Sequence, residues 1–364
     1  MSRRLIASLS VFVLVTLAVA AAVGQTFATR LANPDEIHDL LVQRIDVRHK
    51  SDGIVVGVIT KKAREIISYG RFDRDDPHVP DGDTAFGVGS ITKVFTGLLL
   101  ADMAEKGEVK LSDPISKYLP ATVHAPTRNG KQITLLDLAT HYSGLPLQPG
   151  NYVIEGYTTE RMYDFVNRYQ LTRDPGQKYE YSNFGFGLLG QLLARSAGTD
   201  YSTLLRTRIT APLGMNRTAV HPTKEMESNL APGHKFNMQK HPVWEAPGLE
   251  AAGSIRSTAN DLLIFLAANL DIIRTPLQPA MKKMLSVERS AGSGSKVAIG
   301  WHVQSGVVCH SGQNNGYYAF VGFDPHRKVG VVVLSNSNDP IDDIAWRIFS
   351  YPPPITEQPS GFPN

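Results

Sequence analysis

The residues typical of β-strands lie near the two ends of this chain, and a mostly helical pattern lies between them. Near the start, Ile54–Thr60 and Glu65–Tyr69 are rich in β-branched residues and flank a polar link, as in a hairpin. Four further runs of this kind lie near the C-terminus: 297–303, 307–310, 317–323 and 329–334. This distribution predicts one mostly antiparallel sheet that is built from both ends of the chain.

The middle of the chain has the spacing of apolar residues that is typical of helices. The first long candidate is Ile91–Lys106, which ends at Gly107, a residue suited to a helix C-cap. The other candidate helices are 135–140, 159–169, 184–196, 201–209 and 258–270. Because Asp261–Leu270 is almost continuously apolar, we expect the last of these to be buried on several sides. A regular alternation of strands and helices is missing from the pattern, which argues against a Rossmann or TIM-barrel architecture.

We therefore predict an α/β (α+β) fold, a mostly antiparallel sheet flanked by helices, with an inserted helical subdomain. The sheet domain takes residues 31–110 and 250–350, and the helical subdomain takes residues 111–249. The Pro-rich tail 351–364 is expected to be disordered.

The first residues have the pattern of a targeting segment. Arg3 and Arg4 precede the uncharged apolar run Leu5–Val23, which is followed by small residues that suit a cleavage site. We interpret residues 1–24 as a secretory signal peptide, with an uncleaved membrane anchor through residues 5–23 as the alternative. Both interpretations predict an exported protein, periplasmic or extracellular.

Composition excludes several classes of function. Lys and Arg total 37 and Asp and Glu total 34, so a net charge of +3 gives no basic patch of the kind that binds nucleic acid. The single cysteine, Cys309, excludes an intrachain disulfide and a cysteine-based zinc cluster. The eleven histidines do not stand at metal-ligand spacing, so we expect no metal and no other cofactor.

Ser90-Ile91-Thr92-Lys93 stands at the start of the first long helix candidate. A spacing of three places Ser90 and Lys93 on one face of one helical turn. A serine hydroxyl needs an adjacent base to act as a nucleophile, and a lysine whose charged form is disfavoured can be that base. The alternative is an N-cap serine beside a solvated lysine. A second match, Ser293-Gly294-Ser295-Lys296, lies in a Gly/Ser-rich stretch, and we interpret it as chance.

Tyr181-Ser182-Asn183 precedes the helix candidate 184–196. A neighbouring lysine would stabilise the phenolate of Tyr181, which makes a base or a proton shuttle, and Asn183 could hold both that lysine and a substrate carbonyl. The alternative is a buried tyrosine followed by a helix-capping Ser-Asn pair.

His310-Ser311-Gly312 ends a late strand and leads into Gln313. A strand beside a nucleophile can bind an extended substrate along its edge, and its backbone N–H groups can form half of an oxyanion hole. Gly312 would allow close approach of another backbone. The alternative is a turn at a strand end with an exposed histidine.

These three motifs, in this order, resemble those of the serine penicillin-recognising enzymes, in the branch of class C β-lactamases and D-Ala-D-Ala carboxypeptidases. The resemblance extends over about residues 35–350 and implies the β-lactamase/transpeptidase-like fold. The segments that carry it besides the motifs are Leu111–Pro120, Thr134–His141, Ser143–Pro146, Pro212–Met215, Ala252–Thr258 with Asp261, and Phe323–Pro325.

The resemblance also implies a role for each motif residue. Ser90 is the acylated nucleophile, and Lys93 accepts its proton or tunes Tyr181, which acts as base in acylation and as proton shuttle. Asn183 binds the substrate amide. His310 and Ser311, beside Gly312, face the carboxylate end of the substrate. The N–H groups of Ser90 and Gln313 form the oxyanion hole.

The third motif departs from the Lys-Thr-Gly that many members of this family have. Where a lysine would carry a permanent charge, His310 is mostly neutral at pH 7, so the chain is more similar to the carboxypeptidases and esterases of the family. The function expected is an exported acyl-serine hydrolase acting on D-Ala-D-Ala-type peptides and/or β-lactams. The alternatives are an esterase of the same fold and a non-catalytic module that binds wall peptides or penicillin. The oligomeric state is not predicted.

Overall fold

A computed structural model of the protein describes residues 30–150, 156–241 and 248–350. The predicted targeting segment 1–24 and the tail 351–364 lie outside the described residues. Asn33–Ala345 form one compact unit, and the described part of a second unit is two short segments, 30–32 and 346–350, joined by a hydrogen bond from the Ala32 N–H to the Ile348 carbonyl (3.0 Å). None of the helices formed by the described residues is long and apolar enough to span a bilayer.

The strands of the described residues belong to one large antiparallel sheet and three small ribbons. In chain order they are β1 (Gly53–Ile59), β2 (Arg64–Gly70), β3 (Phe86–Gly87), β4 (Thr127–Arg128), β5 (Lys131–Gln132), β6 (Gly233–His234), β7 (Lys240–His241), β8 (Arg256–Ser257), β9 (Arg289–Gly292), β10 (Ser295–Val297), β11 (His302–Gln304), β12 (Val307–Asn314), β13 (Tyr317–Asp324) and β14 (Val329–Ser335). The large sheet has eight strands in the order β2-β1-β14-β13-β12-β11-β10-β9, and β3–β8, β4–β5 and β6–β7 pair separately.

The large sheet confirms that both ends of the chain supply strands. β1 pairs with β14 in antiparallel register, with Val56 opposite Val333, so the first strand lies beside the last. Every residue of these two strands is buried, as their β-branched runs require. The remaining late strands extend the sheet to one side as successive antiparallel neighbours.

Helices flank the sheet, and five of the six predicted ones begin and end within two residues of the predicted positions, whereas the predicted helix 201–209 is an α-helix only as far as Leu205. In chain order they are α1 (Pro34–Val42), α2 (Thr92–Glu105), α3 (Leu135–Ala139), α4 (Thr159–Arg168), α5 (Asn183–Ser196), α6 (Tyr201–Leu205), α7 (Ala211–Leu213), α8 (Lys224–Ser228), α9 (Glu250–Gly253), α10 (Ala259–Asn269), α11 (Gln278–Leu285) and α12 (Asp342–Phe349). As expected, α10 is buried on several sides, where Phe265 stacks on Phe95 of α2 with ring centres 4.6 Å apart.

The predicted strand 297–303 is wrong as a single element. β10 ends at Val297 and β11 begins only at His302. Between them Gly300 has a φ of +72°, and a Cβ at this position would lie 2.7 Å from the Lys93 carbonyl oxygen of α2. The chain therefore leaves the sheet here and packs against α2. A run of apolar residues in the sequence does not predict such a contact with a distant helix.

The start of α2 packs against β12, and this contact positions the candidate site. Gly57 and Gly330 leave room for Leu263 and Leu266 of α10 on the sheet. At the other contact, a Cβ on Gly312 would lie 1.9 Å from the Val88 carbonyl oxygen, so only glycine permits this approach of strand and helix.

Candidate active site

Ser90 lies in a short 3₁₀ turn, Gly89–Ile91, that leads directly into α2. Gly89 has a φ of +52°, and a Cβ there would lie 2.7 Å from the backbone nitrogen of Gln313. Glycine is therefore required both by the backbone conformation and by the neighbouring strand. The turn holds the half-buried Ser90 at the N-terminal end of the helix, against β12.

Lys93 lies one helical turn beyond Ser90 and is completely buried. Its Nζ is 2.9 Å from Ser90 Oγ and donates a hydrogen bond to the Ala252 carbonyl oxygen at 2.7 Å. Burial lowers the pKa of Lys93 well below the ordinary value of 10.5, because the charged form loses its hydration. The amine is thus held where it can accept a proton from the Ser90 hydroxyl.

Tyr181 approaches Ser90 from the other side. Its hydroxyl donates to Ser90 Oγ at 2.8 Å, and its ring stacks on His141 with centres 4.3 Å apart. Burial raises the pKa of Tyr181, which the hydrogen bond to Ser90 only partly offsets. Burial therefore opposes the phenolate that the neighbouring Lys93 is expected to stabilise, and it favours the protonated form of Tyr181.

Asn183 is the first residue of α5, and the side chain of Ser182 caps this helix by accepting from the Gly185 N–H at 2.8 Å. The Asn183 N–H donates to the Leu147 carbonyl oxygen at 3.0 Å. Within the described residues no hydrogen bond joins the side chain of Asn183 to Lys93, so the expected contact between them is not formed.

His310 lies on β12 and is buried, with 4% of its surface exposed. Its Nδ1 is 2.6 Å from the Ser311 carbonyl oxygen, which assigns the ring proton to Nδ1. Burial is the main cause that lowers the pKa of His310 well below 6.5, and the nearby His302 and Lys93 add to it. A neutral ring with its proton on Nδ1 presents only an acceptor at Nε2.

Ser311 points away from the site, because neighbouring residues of a strand face opposite sides of the sheet. Its hydroxyl donates to the carboxylate of Asp342, which also accepts from the hydroxyl of Tyr318 at 2.6 Å. The expected contact of the Ser311 side chain with substrate is therefore not available in this structure.

Gly312 and Gln313 bring the backbone of β12 against the nucleophile turn. A Cβ on Gly312 would lie 2.9 Å from the Ser90 nitrogen. β11 pairs only with Val307–Cys309, so the edge of β12 beyond Cys309 is not paired on that side by the described strands. The site therefore combines a serine, a buried amine, a phenol and a strand edge, the parts needed for acyl transfer to serine.

A family model described as Beta-lactamase matches residues 34–348 of this chain. The chain belongs to the beta-lactamase family. A beta-lactamase from Escherichia coli (strain K12) is 29% identical over 366 residues, which cover 89% of this chain and 95% of that protein. The D-alanyl-D-alanine-carboxypeptidase/endopeptidase AmpH of the same strain is 27% identical over 345 residues, which cover 86% and 89%.

Solved structures of the family have the same fold. A beta-lactamase/D-alanine carboxypeptidase from Yersinia pestis, complexed with citrate, matches with a TM-score of 0.75 and 28% identity, over 86% of this chain and 96% of that one. A class C beta-lactamase from Rhodobacter sphaeroides matches with a TM-score of 0.75 and 25% identity, over 86% and 97%. The chain is therefore a serine hydrolase of the beta-lactamase family, as the sequence motifs predict.

Three residues of this beta-lactamase family site were not identified from the sequence. His141 accepts a hydrogen bond at Nδ1 from the Ser182 N–H (3.0 Å), and the Tyr179 hydroxyl lies 3.0 Å from His302 Nε2. Burial lowers the pKa of His302 to about 4 and raises that of Tyr179 to about 12. His141 stacks on Tyr181, and the rings of Tyr179 and His302 pack edge-on and face-on against His141. Of the three, only Tyr179 has a position in the sequence that could have identified it, two residues before Tyr181. The spacing of the motifs does not point to His141 or His302.

Proposed function

We propose that Ser90 is acylated in the reaction and that the enzyme hydrolyses D-Ala-D-Ala-type peptide amides and/or β-lactams. One observation supports this most strongly: Ser90 Oγ lies within hydrogen-bond distance of both Lys93 Nζ and Tyr181 OH. Burial shifts the pKa values of these two groups in opposite directions, down for the amine and up for the phenol. Two neighbouring titratable groups whose surroundings move their pKa values apart are good candidates for a general base and a general acid, here Lys93 and Tyr181.

In this proposal Lys93 is the general base. As a neutral amine it donates one N–H to the Ala252 carbonyl oxygen and directs its lone pair at the Ser90 hydroxyl. Ser90 Oγ then attacks the substrate carbonyl carbon while its proton moves to Lys93 Nζ. Tyr181 donates its hydroxyl proton to the leaving nitrogen, which separates from the acyl group as an amine. A water molecule then attacks the acyl carbon and gives one proton back to the Tyr181 oxygen, while Ser90 Oγ leaves and takes its proton back from Lys93.

The N–H groups of Ser90 and Gln313 are the proposed oxyanion hole. Ser90 lies in the first turn of a helical segment, where backbone N–H groups have no partner within the helix. The backbones of Gln313 and Gly89 approach so closely that a Cβ on Gly89 would meet the Gln313 nitrogen. Each such donor contributes on the order of 3 kcal/mol to transition-state stabilisation. The edge of β12 and Asn183 would hold the substrate backbone and amide.

An esterase is the second candidate, and the surroundings of His310 favour it. Substrates that end in D-Ala carry a carboxylate, which a cation binds best. The pKa of His310 is held well below 6.5, and its Nε2 has no hydrogen-bond partner among the described residues. A neutral ester carries no carboxylate, so its binding does not require a cation at this position.

We also propose that the protein is exported, since Arg3, Arg4 and the apolar run after them have the pattern of a signal peptide or anchor. Its partners would then be the small-molecule or peptide substrates found outside the cytoplasm. Fusing residues 1–30 to a reporter that is active only after export tests this, and a reporter that stays inactive contradicts it.

Four substrates distinguish the proposed activities: a fluorescent penicillin, a chromogenic cephalosporin, a D-Ala-D-Ala peptide and a short-chain nitrophenyl ester. We expect covalent labelling of Ser90 by the penicillin and turnover of the peptide or the cephalosporin, and neither with Ser90→Ala. Turnover of the ester alone would select the esterase. Absence of both labelling and turnover would exclude acylation at Ser90.

A further inference from the structure

A second cluster of chemically capable side chains lies away from Ser90, at the end of the sheet where β1 begins. Asp52 immediately precedes β1, Asp73 follows β2, and His234 ends β6. All three are buried, with exposed fractions of 7%, 5% and 0%. One ligand atom from each lies within 4.8 Å of the other two. The sequence keeps these residues far apart, and only the fold brings them together.

The orientation of His234 is fixed by the backbone of Asn336. The Asn336 carbonyl oxygen lies 3.0 Å from His234 Nδ1 and also accepts from the His234 N–H at 2.9 Å. The ring proton is therefore assigned to Nδ1, and Nε2 presents a lone pair to the two carboxylates. A backbone carbonyl that holds the far nitrogen of an imidazole is the usual arrangement behind a metal-binding histidine.

No hydrogen bond accounts for the contact between the ring and the carboxylates. His234 Nε2 is 3.6 Å from Asp52 Oδ2 and 3.7 Å from Asp73 Oδ1, beyond the usual range of about 2.7–3.2 Å. Neither His234 Nε2 nor Asp52 Oδ2 has a hydrogen-bond partner among the described residues. Buried polar atoms without partners are costly and require an explanation.

A tetrahedral metal ion would explain these separations. Zn²⁺ lies about 2.0–2.2 Å from nitrogen and oxygen ligands, which places two ligands of a tetrahedral ion about 3.4 Å apart. One imidazole and two carboxylates are ligands that Zn²⁺ uses, whereas Mg²⁺ prefers oxygen ligands and an octahedral geometry. Asp52 also lines a surface cavity of about 580 Å³, so one of the three residues borders solvent-accessible space.

We propose that Asp52, Asp73 and His234 form a Zn²⁺ site, with a fourth position open to water. One cation competes for it: Lys240, which is mostly exposed, pairs with the carboxylate of Asp73 and must move aside or share that ligand. The site would be structural. Gly233 of β6 packs against Gly316 and Tyr317, which lie at the turn between β12 and β13. A bound ion would therefore connect this turn to the start of β1.

Metal binding by the untagged protein tests the proposal directly. The protein is loaded with Zn²⁺, passed through a desalting column and analysed for zinc by mass spectrometry, with Mg²⁺ in a parallel sample. We expect about one equivalent of Zn²⁺, no retained Mg²⁺, and a melting temperature that rises with the Zn²⁺ concentration. Less than about a tenth of an equivalent of zinc would overturn the site.

Variants locate the bound ion. His234→Gln and Asp52→Asn should each lose at least tenfold in Zn²⁺ affinity, measured by competition with a chromophoric chelator. Lys240→Met should raise the affinity. The matched control is His326→Gln, an exposed histidine in the turn after β13 that should keep the full equivalent. A full equivalent in His234→Gln would show that zinc binds elsewhere and would overturn the proposal.

A spectroscopic measurement keeps the test valid if the variants fail to fold. Co²⁺ replaces Zn²⁺ in the unmodified protein, and a tetrahedral site gives a visible absorption much stronger than that of hydrated Co²⁺. We expect the strong band to appear with one equivalent and to vanish when Zn²⁺ is added. A weak octahedral spectrum, or no bound Co²⁺, would contradict the proposed geometry.

Discussion

Two turns of this molecule contain the same Ser-x-x-Lys pattern in opposite surroundings. Ser90 and Lys93 begin a buried helix, where the amine has no exposed surface and lies 2.9 Å from the hydroxyl. Ser293 lies in the exposed turn between β9 and β10. Lys296 has 57% of its side chain exposed and pairs with Glu288 at 2.7 Å. Among the described residues, no hydrogen bond joins Ser293 to Lys296.

The difference shows that the pattern sets only a spacing, and the surroundings decide the chemistry. Lys296 is exposed and its amine pairs with a carboxylate, so it is not held against a serine hydroxyl. Burial without a carboxylate partner lowers the pKa of Lys93, which favours the neutral amine, the form that can accept a proton. Five predictions test this contrast and the role of burial around Ser90.

The largest effect is expected from the two serines. Ser90→Ala removes the proposed nucleophile and should reduce kcat/KM for every substrate by roughly 10⁴-fold or more, while Ser293→Ala should leave it unchanged. Turnover of the four substrates in parallel measures this. Equal losses in the two variants would refute the choice of nucleophile.

The two lysines should differ nearly as much. Lys93→Met removes the proposed base and should lower kcat/KM by about 10²–10⁴-fold, while Lys296→Met should change it less than twofold. Because activity needs the neutral amine, kcat/KM of the unmodified enzyme should rise with pH through the lowered pKa of Lys93 and then level off. An unchanged rate in Lys93→Met would exclude the amine as base.

Stability provides an independent control on the same residue. Between the lowered pKa of folded Lys93 and the ordinary value of 10.5, the unfolded chain binds one more proton than the folded one. The free energy of unfolding should therefore rise with pH across this interval, by up to about 1.4 kcal/mol per pH unit from this group. Urea unfolding at pH 7 and pH 9 measures this rise in the free energy of unfolding. The rise should be smaller in Lys93→Met than in the unmodified protein, and Lys296→Met should show the same rise as the unmodified protein.

The sequence predicts most of the sheet and the order of the motifs, because both depend on local patterns. β-branched runs identify β1 and β12–β14, and a spacing of three fixes the relation of Ser90 to Lys93. What it could not predict comes from contacts distant in the chain. The Ala252 carbonyl that binds Lys93 lies 159 residues away, and the Asp342 carboxylate that holds Ser311 lies 31 residues away.

The histidines illustrate the same limit. Metal-ligand spacing along the sequence identifies only ligands that are close in the chain. Asp52, Asp73 and His234 are far apart in the sequence and lie on three different segments that the fold brings together. In the same way, the tyrosine motif identifies Tyr181 but gives no measure of its burial. Partial burial of Tyr181 opposes the expected phenolate, because the charged form loses the water around it.

The two tyrosines near Ser90 should differ by a smaller factor. Tyr181→Phe removes the proposed proton donor and should lower kcat/KM for peptide amides by about 10²–10³-fold. The loss should be smaller for the nitrophenyl ester, whose leaving group needs no proton. Tyr179→Phe is the matched control, since its hydroxyl meets His302 and not Ser90. Equal losses on amide and ester would contradict a role in protonating the leaving group.

The smallest effect is expected from His310, where burial again opposes a positive charge. Its Nδ1 is engaged by the Ser311 carbonyl, so an added proton would go to Nε2 and create a donor for a substrate carboxylate. Because its pKa lies well below 6.5, this form grows only as the pH falls. The ratio of kcat/KM for a D-Ala-D-Ala peptide to that for a neutral ester should therefore stay nearly constant above pH 6.5 and rise, by a few-fold, only at lower pH, and the ratio cancels the shared requirement for neutral Lys93. His310→Gln should abolish the rise and the exposed His326→Gln should keep it, while a flat ratio in the unmodified enzyme would remove His310 from carboxylate binding.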